Sequence, residues 1–165
     1  MFKFDFTGKT ALVTGGAEGL GKEFVQTLAE QGADVAFCDV QDEKGLATEK
    51  ELAELTGKKI KYWHCDVTDE TQVKQTVAEI IKEFGKIDQL VNNAGRLTYN
   101  PIESYTMDQW MDVINCDLTG PWLVSREVVL QTMKPNGGGR IVNISSVAGM
   151  FGTAAGCPSY HAAKG

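Results

Sequence analysis

Hydrophobic positions along this chain alternate between two patterns. Short unbroken apolar runs end in glycine or an acidic residue, and longer stretches with a single apolar stripe follow them. Thr10-Ala11-Leu12-Val13-Thr14 is the first run and predicts a buried strand. Leu20, Phe24 and Leu28 then recur at every fourth position, which predicts a helix ending near Gly32. Asp34 to Cys38 predicts a second strand, and Asp42 to Leu55 a charged helix with Leu46, Leu52 and Leu55 as its apolar positions and Gly57 as its stop. Lys59 to Cys65 predicts a third strand. Asp69 to Phe84 carries Val73, Val77, Ile80, Ile81 and Phe84 on one helical face, and Gly85 closes it. Ile87 to Val91 predicts strand four. Met107 to Met133 predicts a long helical region with Trp110, Val113, Ile114 and Leu118 on one side, kinked or split at Gly120-Pro121. A glycine loop, Asn136 to Gly139, precedes a fifth strand, Arg140 to Ile144.

Continuous apolar strands alternating with amphipathic helices predict a parallel sheet covered on both faces. The expected fold is a doubly wound α/β sheet of five strands in the order 3-2-1-4-5. The 165 residues contain no repeat and no linker, so residues 1–165 read as a single domain. At 42% apolar and 23% charged, the composition is that of a globular chain. Its 22 acidic and 16 basic residues give a net charge of −6 with no basic run. That balance argues against nucleic acid or an anionic membrane as partner. No apolar stretch approaches the ~20 residues that span a bilayer. Met1 to Gly8 lacks the apolar core of a signal peptide, so the expected compartment is the cytoplasm. Cys38, Cys65, Cys116 and Cys157 are widely spaced, form no CxxC, and read as free thiols. No metal site is expected: His64 adjoins Cys65, but neighbours on a strand face opposite ways.

The candidate chemistry begins at Thr14-Gly15-Gly16-Ala17-Glu18-Gly19-Leu20-Gly21, which follows the first strand and opens the first helix. Glycines let backbone approach a pyrophosphate, and the helix N-terminus stabilises it with free N–H groups and its dipole. Asp39 ends strand two, 18 residues after Gly21. A carboxylate there can hydrogen-bond both ribose hydroxyls of an adenosine and repels a 2′-phosphate. Glu18, within the turn, adds negative charge where a phosphorylated ribose calls for a cation. Both signs point to NAD rather than NADP.

Five motifs then coincide: Thr14-Gly15-x-x-x-Gly19-x-Gly21, Asp66-Val67, Asn92-Asn93-Ala94-Gly95, Ile144-Ser145-Ser146 and Tyr160-x-x-x-Lys164. With them the chain resembles the short-chain dehydrogenase/reductase family over essentially its whole length. The resemblance implies that Gly15, Glu18, Gly19, Leu20, Gly21 and Asp39 hold the cofactor. It gives Asp66 and Val67 the adenine, and Asn93, Ala94 and Gly95 a place along the cofactor. Asp66 has a second reading as a helix cap, but Asp69 is better placed for that role. Ser146 resembles the serine that hydrogen-bonds the substrate oxygen, with Ser145 its non-catalytic neighbour. Tyr160 resembles the acid/base and Lys164 its partner, both also touching cofactor. A free tyrosine titrates near ~10. Neighbouring cations favour its phenolate. The Ser146–Tyr160 separation is 14, one wider than is common in the family, with Cys157-Pro158 in the local insertion.

Two departures stand out. Asp117 occupies the position of the family's asparagine, in Asp117-Leu118-Thr119-Gly120, and Asn115 lies two residues early. If the role uses the backbone, Asp117 serves; if it uses the amide, a negative charge lies near Lys164. Members of the family are also longer, and this chain ends one residue after Lys164. It therefore reads as a truncated portion whose last strands are missing. The expected activity of the full-length parent is NAD-dependent oxidation of a secondary alcohol or reduction of a ketone. Family resemblance implies a homodimer or homotetramer. The alternatives are a dinucleotide-binding module without turnover and an NADPH-dependent reductase.

Overall fold

A computed structural model describes residues 4–152 and 156–165; part of the expected insertion between Ser146 and Tyr160 lies outside them. The strands are β1 (Thr10–Thr14), β2 (Asp34–Asp39), β3 (Ile60–His64), β4 (Gln89–Asn92) and β5 (Arg140–Asn143). They form one parallel sheet in the order β3-β2-β1-β4-β5, as expected. Successive residues of β1 feed opposite faces, so Leu12 enters one core while Ala11 and Val13 enter the other. Helices α1 (Gly19–Glu30) and α2 (Asp42–Thr56) bring Val25, Ala29 and Leu52 to the Val13 side. Helix α3 (Glu70–Phe84) brings Val73, Val77 and Ile80 to the Leu12 side. Among the described residues, no helix is long and apolar enough to cross a membrane.

Local chemistry fixes the helix ends. Asp69 caps α3, its Oδ1 accepting from the Thr71 and Gln72 amides at 2.8 and 3.0 Å. Gly57 ends α2 in the left-handed region at φ 66°. Thr106 and Gln109 form a reciprocal capping box at the start of α4 (Met107–Ile114).

Two expectations need correction. The inward face of α1 is wider than expected: Gly21, Val25 and Ala29 are buried and Phe24 and Leu28 pack against the same core, whereas Leu20 is 65% exposed. Small residues face inward there because α1 lies close against the sheet. In the long helix, the expected Leu118 face is also wrong. A π-turn over Asn115–Thr119 follows α4 and leads into α5 (Gly120–Val128), and a second spans Val129–Met133. The wider turn shifts the stripe, so Cys116, Asp117, Leu123 and Val124 face inward and Leu118 faces out. The expected interruption at Gly120-Pro121 takes the form of a change of pitch: the helical backbone continues through the π-turn, and α5 begins at Gly120 with Pro121 in its first turn.

Strand β5 pairs with β4 on one side, and among the described residues its other edge is open. Ile141 and Val142 are 38% and 51% exposed. An open apolar edge is a template for pairing with another chain, and lysine there opposes it. Val142→Lys is therefore expected to shift sedimentation velocity profiles toward monomer with the circular dichroism spectrum unchanged. Equal self-association in both proteins would count against edge pairing.

Candidate active site

The turn after β1 is held from two directions. The Gly15 and Gly16 amides donate to the Cys38 carbonyl at 2.8 and 3.2 Å, which ties the turn to β2. From the β4 side, Asn93 Nδ2 donates to the Thr14 and Gly15 carbonyls at 3.1 and 3.0 Å. Thr14 Oγ1 accepts from the Asn93 and Ala94 amides at 3.1 and 3.0 Å. A Cβ on Gly21 would lie 1.9 Å from the Gly15 carbonyl oxygen, so no side chain fits there. Gly19 has φ +57° with open space around it, so its requirement is conformational. No side chain caps α1, which leaves its first amides available to an anion.

Asp39 lies at the end of β2 with 9% exposure, so it is not a solvated loop carboxylate. Its Oδ2 accepts from the Ala17 amide at 3.1 Å. Its Oδ1 accepts from the Val40 and Gln41 amides at 2.8 and 3.1 Å. Glu18 differs. Hydrogen bonds from Lys44 and Gln41 hold its carboxyl below the usual range, and Lys44 Nζ lies 2.7 Å away. Its charge is therefore offset by a neighbouring cation, whereas among the described residues no lysine or arginine is paired with Asp39. Asp66 Oδ1 accepts from the Thr68 amide and hydroxyl at 2.9 and 2.8 Å, while Asp69 takes the cap.

These residues meet. Gly15, Glu18, Asp39, Asp66, Val67, Asn93, Ala94 and Gly95 line one cleft of about 370 Å³. Gly19, Leu20 and Gly21 do not line it. Sequence reasoning missed five residues that do: Val40, Gln41, Cys65, Arg96 and Cys116. Arg96 follows Gly95 directly, and its guanidinium pairs with Asp112 and lies 4.0 Å from Asp66 Oδ2. Burial pushes the Cys116 thiol up to about 12.

The second cluster is built on α6 (Pro158–Lys164), where a spacing of four puts Tyr160 and Lys164 on one face. Lys164 Nζ lies 5.6 Å from the Tyr160 ring centroid. It donates to the Ile144 carbonyl at 2.9 Å and lies 3.3 Å from Asp117 Oδ2. The Asp117 side chain is fully buried, and its Oδ1 accepts from the Arg96 amide at 2.7 Å. Asp117 thus links the lysine to the strand end that lines the cleft. Asp117, Lys164, Ser145 and Asn92 share a second cavity of about 450 Å³, which Ser146 and Tyr160 do not line. Ser146 Oγ accepts from the Ala148 amide at 3.2 Å, and Ser145 Oγ donates to the Lys164 carbonyl at 2.8 Å. Asn92 opens the Asn92–Gly95 motif; its Nδ2 donates to Ser125 Oγ and Asn143 Oδ1 at 2.9 and 2.8 Å, which joins β4 to β5 and the long helix.

Comparison with known proteins gives the family and the fold. Residues 9–165 match the family described as short chain dehydrogenase. The chain is 43% identical over 157 residues to the 3-alpha-(or 20-beta)-hydroxysteroid dehydrogenase of Mycobacterium tuberculosis, covering 95% of this chain and 58% of that protein. It is 40% identical to trans-4-hydroxycyclohexanecarboxylate dehydrogenase of Sinomonas cyclohexanicum, over 87% of this chain and 57% of the relative. The crystal structure of NAD⁺-bound xylitol dehydrogenase superposes with a TM-score of 0.91 at 35% identity, covering 96% of this chain and 60% of the other. The chain thus spans a little under three fifths of these two curated relatives.

The two glycines separate packing from conformation. Gly21→Ala drives a methyl into the Gly15 carbonyl and is expected to cost about 1–3 kcal/mol in urea unfolding. Gly19→Ala meets no atom and is expected to cost about 1 kcal/mol. Equal losses would show that contact at Gly21 is not limiting.

Proposed function

Because this chain belongs to the short-chain dehydrogenase family, we propose that it carries the cofactor site and catalytic side chains of an NAD-dependent oxidoreductase acting on a secondary alcohol or ketone. The observation that carries the reading is Asp39, fixed by three backbone amides at the rim of a cleft that begins at an uncapped helix N-terminus. The residues fit a dinucleotide. The glycine turn leaves backbone where a pyrophosphate needs it, and a Cβ at Gly21 would close that turn. Asp39 takes the adenosine ribose, and Asp66 and Val67 flank the adenine.

When bound, the nicotinamide supplies the hydride acceptor or donor. The protein's part is to place the substrate oxygen and move its proton. Tyr160 takes or gives that proton through its phenolic oxygen. Lys164, gripped by Asp117 and the Ile144 carbonyl, is held beside the ring. Ser146 hydrogen-bonds the substrate oxygen as charge develops on it. The relatives named for hydroxysteroid, hydroxycyclohexanecarboxylate and xylitol support an alcohol or its ketone as substrate class. NADH formation from a panel of secondary alcohols tests the activity. Tyr160→Phe is expected to lower it about 10²–10⁴-fold; an undiminished rate would overturn the role.

Cofactor choice follows from Asp39. NAD is expected to bind more tightly than NADP, and Asp39→Ala to weaken NAD by about tenfold while relieving part of the exclusion of NADP. Fluorescence titration with both nucleotides measures this, and equal affinities in the unmutated protein would refute it. Asp117→Asn tests the lysine grip. An amide has one acceptor oxygen, so the Arg96 amide or Lys164 loses its partner and faces an NH₂ group. The expected cost is about 1–3 kcal/mol in urea unfolding; unchanged stability would mean that the carboxylate's charge contributes nothing.

A further inference from the structure

Two buried thiols stand beside the two acids of the cleft, and the proposed chemistry uses neither. Cys38 directly precedes Asp39, and Cys65 directly precedes Asp66. The β2–β3 register pairs Cys38 with Trp63, which puts Cys65 two residues further along the partner strand on the same face. Both enter the same core cluster. The strands are still joined at this point, because the Cys65 amide donates to the Asp39 carbonyl at 3.1 Å. Each thiol lies close enough to shift the ionisation of the other.

We propose that Cys38 and Cys65 form an oxidation site, at which hydrogen peroxide joins them in a disulfide across the ends of β2 and β3 and so closes the adenosine end of the cleft. The effect on the cleft rests on the dinucleotide reading given above; the disulfide does not. Cys65 lines the cleft and is the thiol a small oxidant meets first, whereas Cys38 lies behind it. The hydrogen bond with Cys38, aided by one from Thr76, holds the Cys65 thiol below its ordinary range. Donating its proton toward Cys65 and being buried push Cys38 well above it. One sulfur is thus suited to attack and the other to resolve.

The steps balance. The Cys65 thiolate attacks one peroxide oxygen, the O–O bond breaks, and hydroxide leaves with the thiol proton as water. Cys65 is then a sulfenic acid. The Cys38 sulfur attacks the Cys65 sulfur, the S–S bond forms, the S–O bond breaks, and a second water leaves. Two thiols lose two electrons and two protons, and one peroxide becomes two waters. With parallel strands about 4.8 Å apart and a rise of about 3.3 Å per residue, Cα atoms offset by two residues lie roughly 8 Å apart, beyond the usual disulfide range of about 4.4–6.8 Å. Closure therefore draws the strand ends together and moves Asp39 and Asp66 with them.

The experiment treats the chain with hydrogen peroxide, blocks remaining thiols under unfolding conditions, and maps peptides by mass. The expected product is a monomer with a Cys38–Cys65 cross-link, two hydrogens lighter, reversed by dithiothreitol and absent in Cys65→Ser. NAD affinity is expected to fall at least tenfold on oxidation and to return on reduction. Because the map uses the unmutated chain, it decides the question even if Cys65→Ser folds poorly. Free Cys38 and Cys65 after treatment, or cross-links to Cys116 or Cys157 instead, would overturn the proposal. A mapped disulfide with unchanged NAD affinity would overturn its effect on the cleft. A reduced chain that does not bind NAD would refute the dinucleotide reading, with the peptide map still judging the disulfide.

Discussion

The arrangement depends on the close approach between the turn after β1 and the start of the segment after β4. Thr14 and Asn93 cross-link the two through four hydrogen bonds, and Gly21 permits the turn to fold back on Gly15. The sheet order makes this the place where the chain reverses its direction of travel across the sheet. Side chains at such a crevice are positioned by strands already fixed by two cores, so the cleft needs no ligand to assemble it. Asp39 extends the same logic: its carboxylate is held by the backbone of the turn it faces.

The second cluster hangs from the first through one buried carboxylate. Asp117 reaches the Arg96 amide with one oxygen and Lys164 with the other. A buried pair of this kind adds little net stability compared with an apolar substitute, but leaving one member alone is costly. Its contribution is to orientation. The lysine amine is fixed by groups from β5's end and from the long helix, and that grip helps to anchor α6.

Much of this was legible in the sequence where local chemistry and burial agree. The strand order, the α3 face, the Asp69 cap and the Gly57 stop follow from period, cap and glycine rules that tertiary packing does not oppose. The α1 face was legible in part: Phe24 and Leu28 pack on the core, but the most buried row is the smaller Gly21, Val25 and Ala29, and Leu20 turns out. The π-turns were not legible because a period of 3.6 has no symbol for an extra residue. Glu18 was read as free charge because its neutralising partner Lys44 comes from the next helix, 26 positions away. Arg96 and Cys65 were missed for a similar reason: each is ordinary alone and gains meaning from what the fold sets beside it.

The π-turn over Asn115–Thr119 gives the long helix a reading frame. Each residue of an α-helix advances the facing direction by about 100°. Removing one residue from this turn would restore α-helical pitch and rotate one flank of the helix against the other by roughly that angle. Asp117 and the Leu123–Val124 pair could then no longer face their present neighbours together. Point substitutions leave the frame intact; a single-codon deletion does not. Across this five-residue stretch, chain length is constrained independently of side-chain identity, and homologous segments should vary more readily in composition than in count.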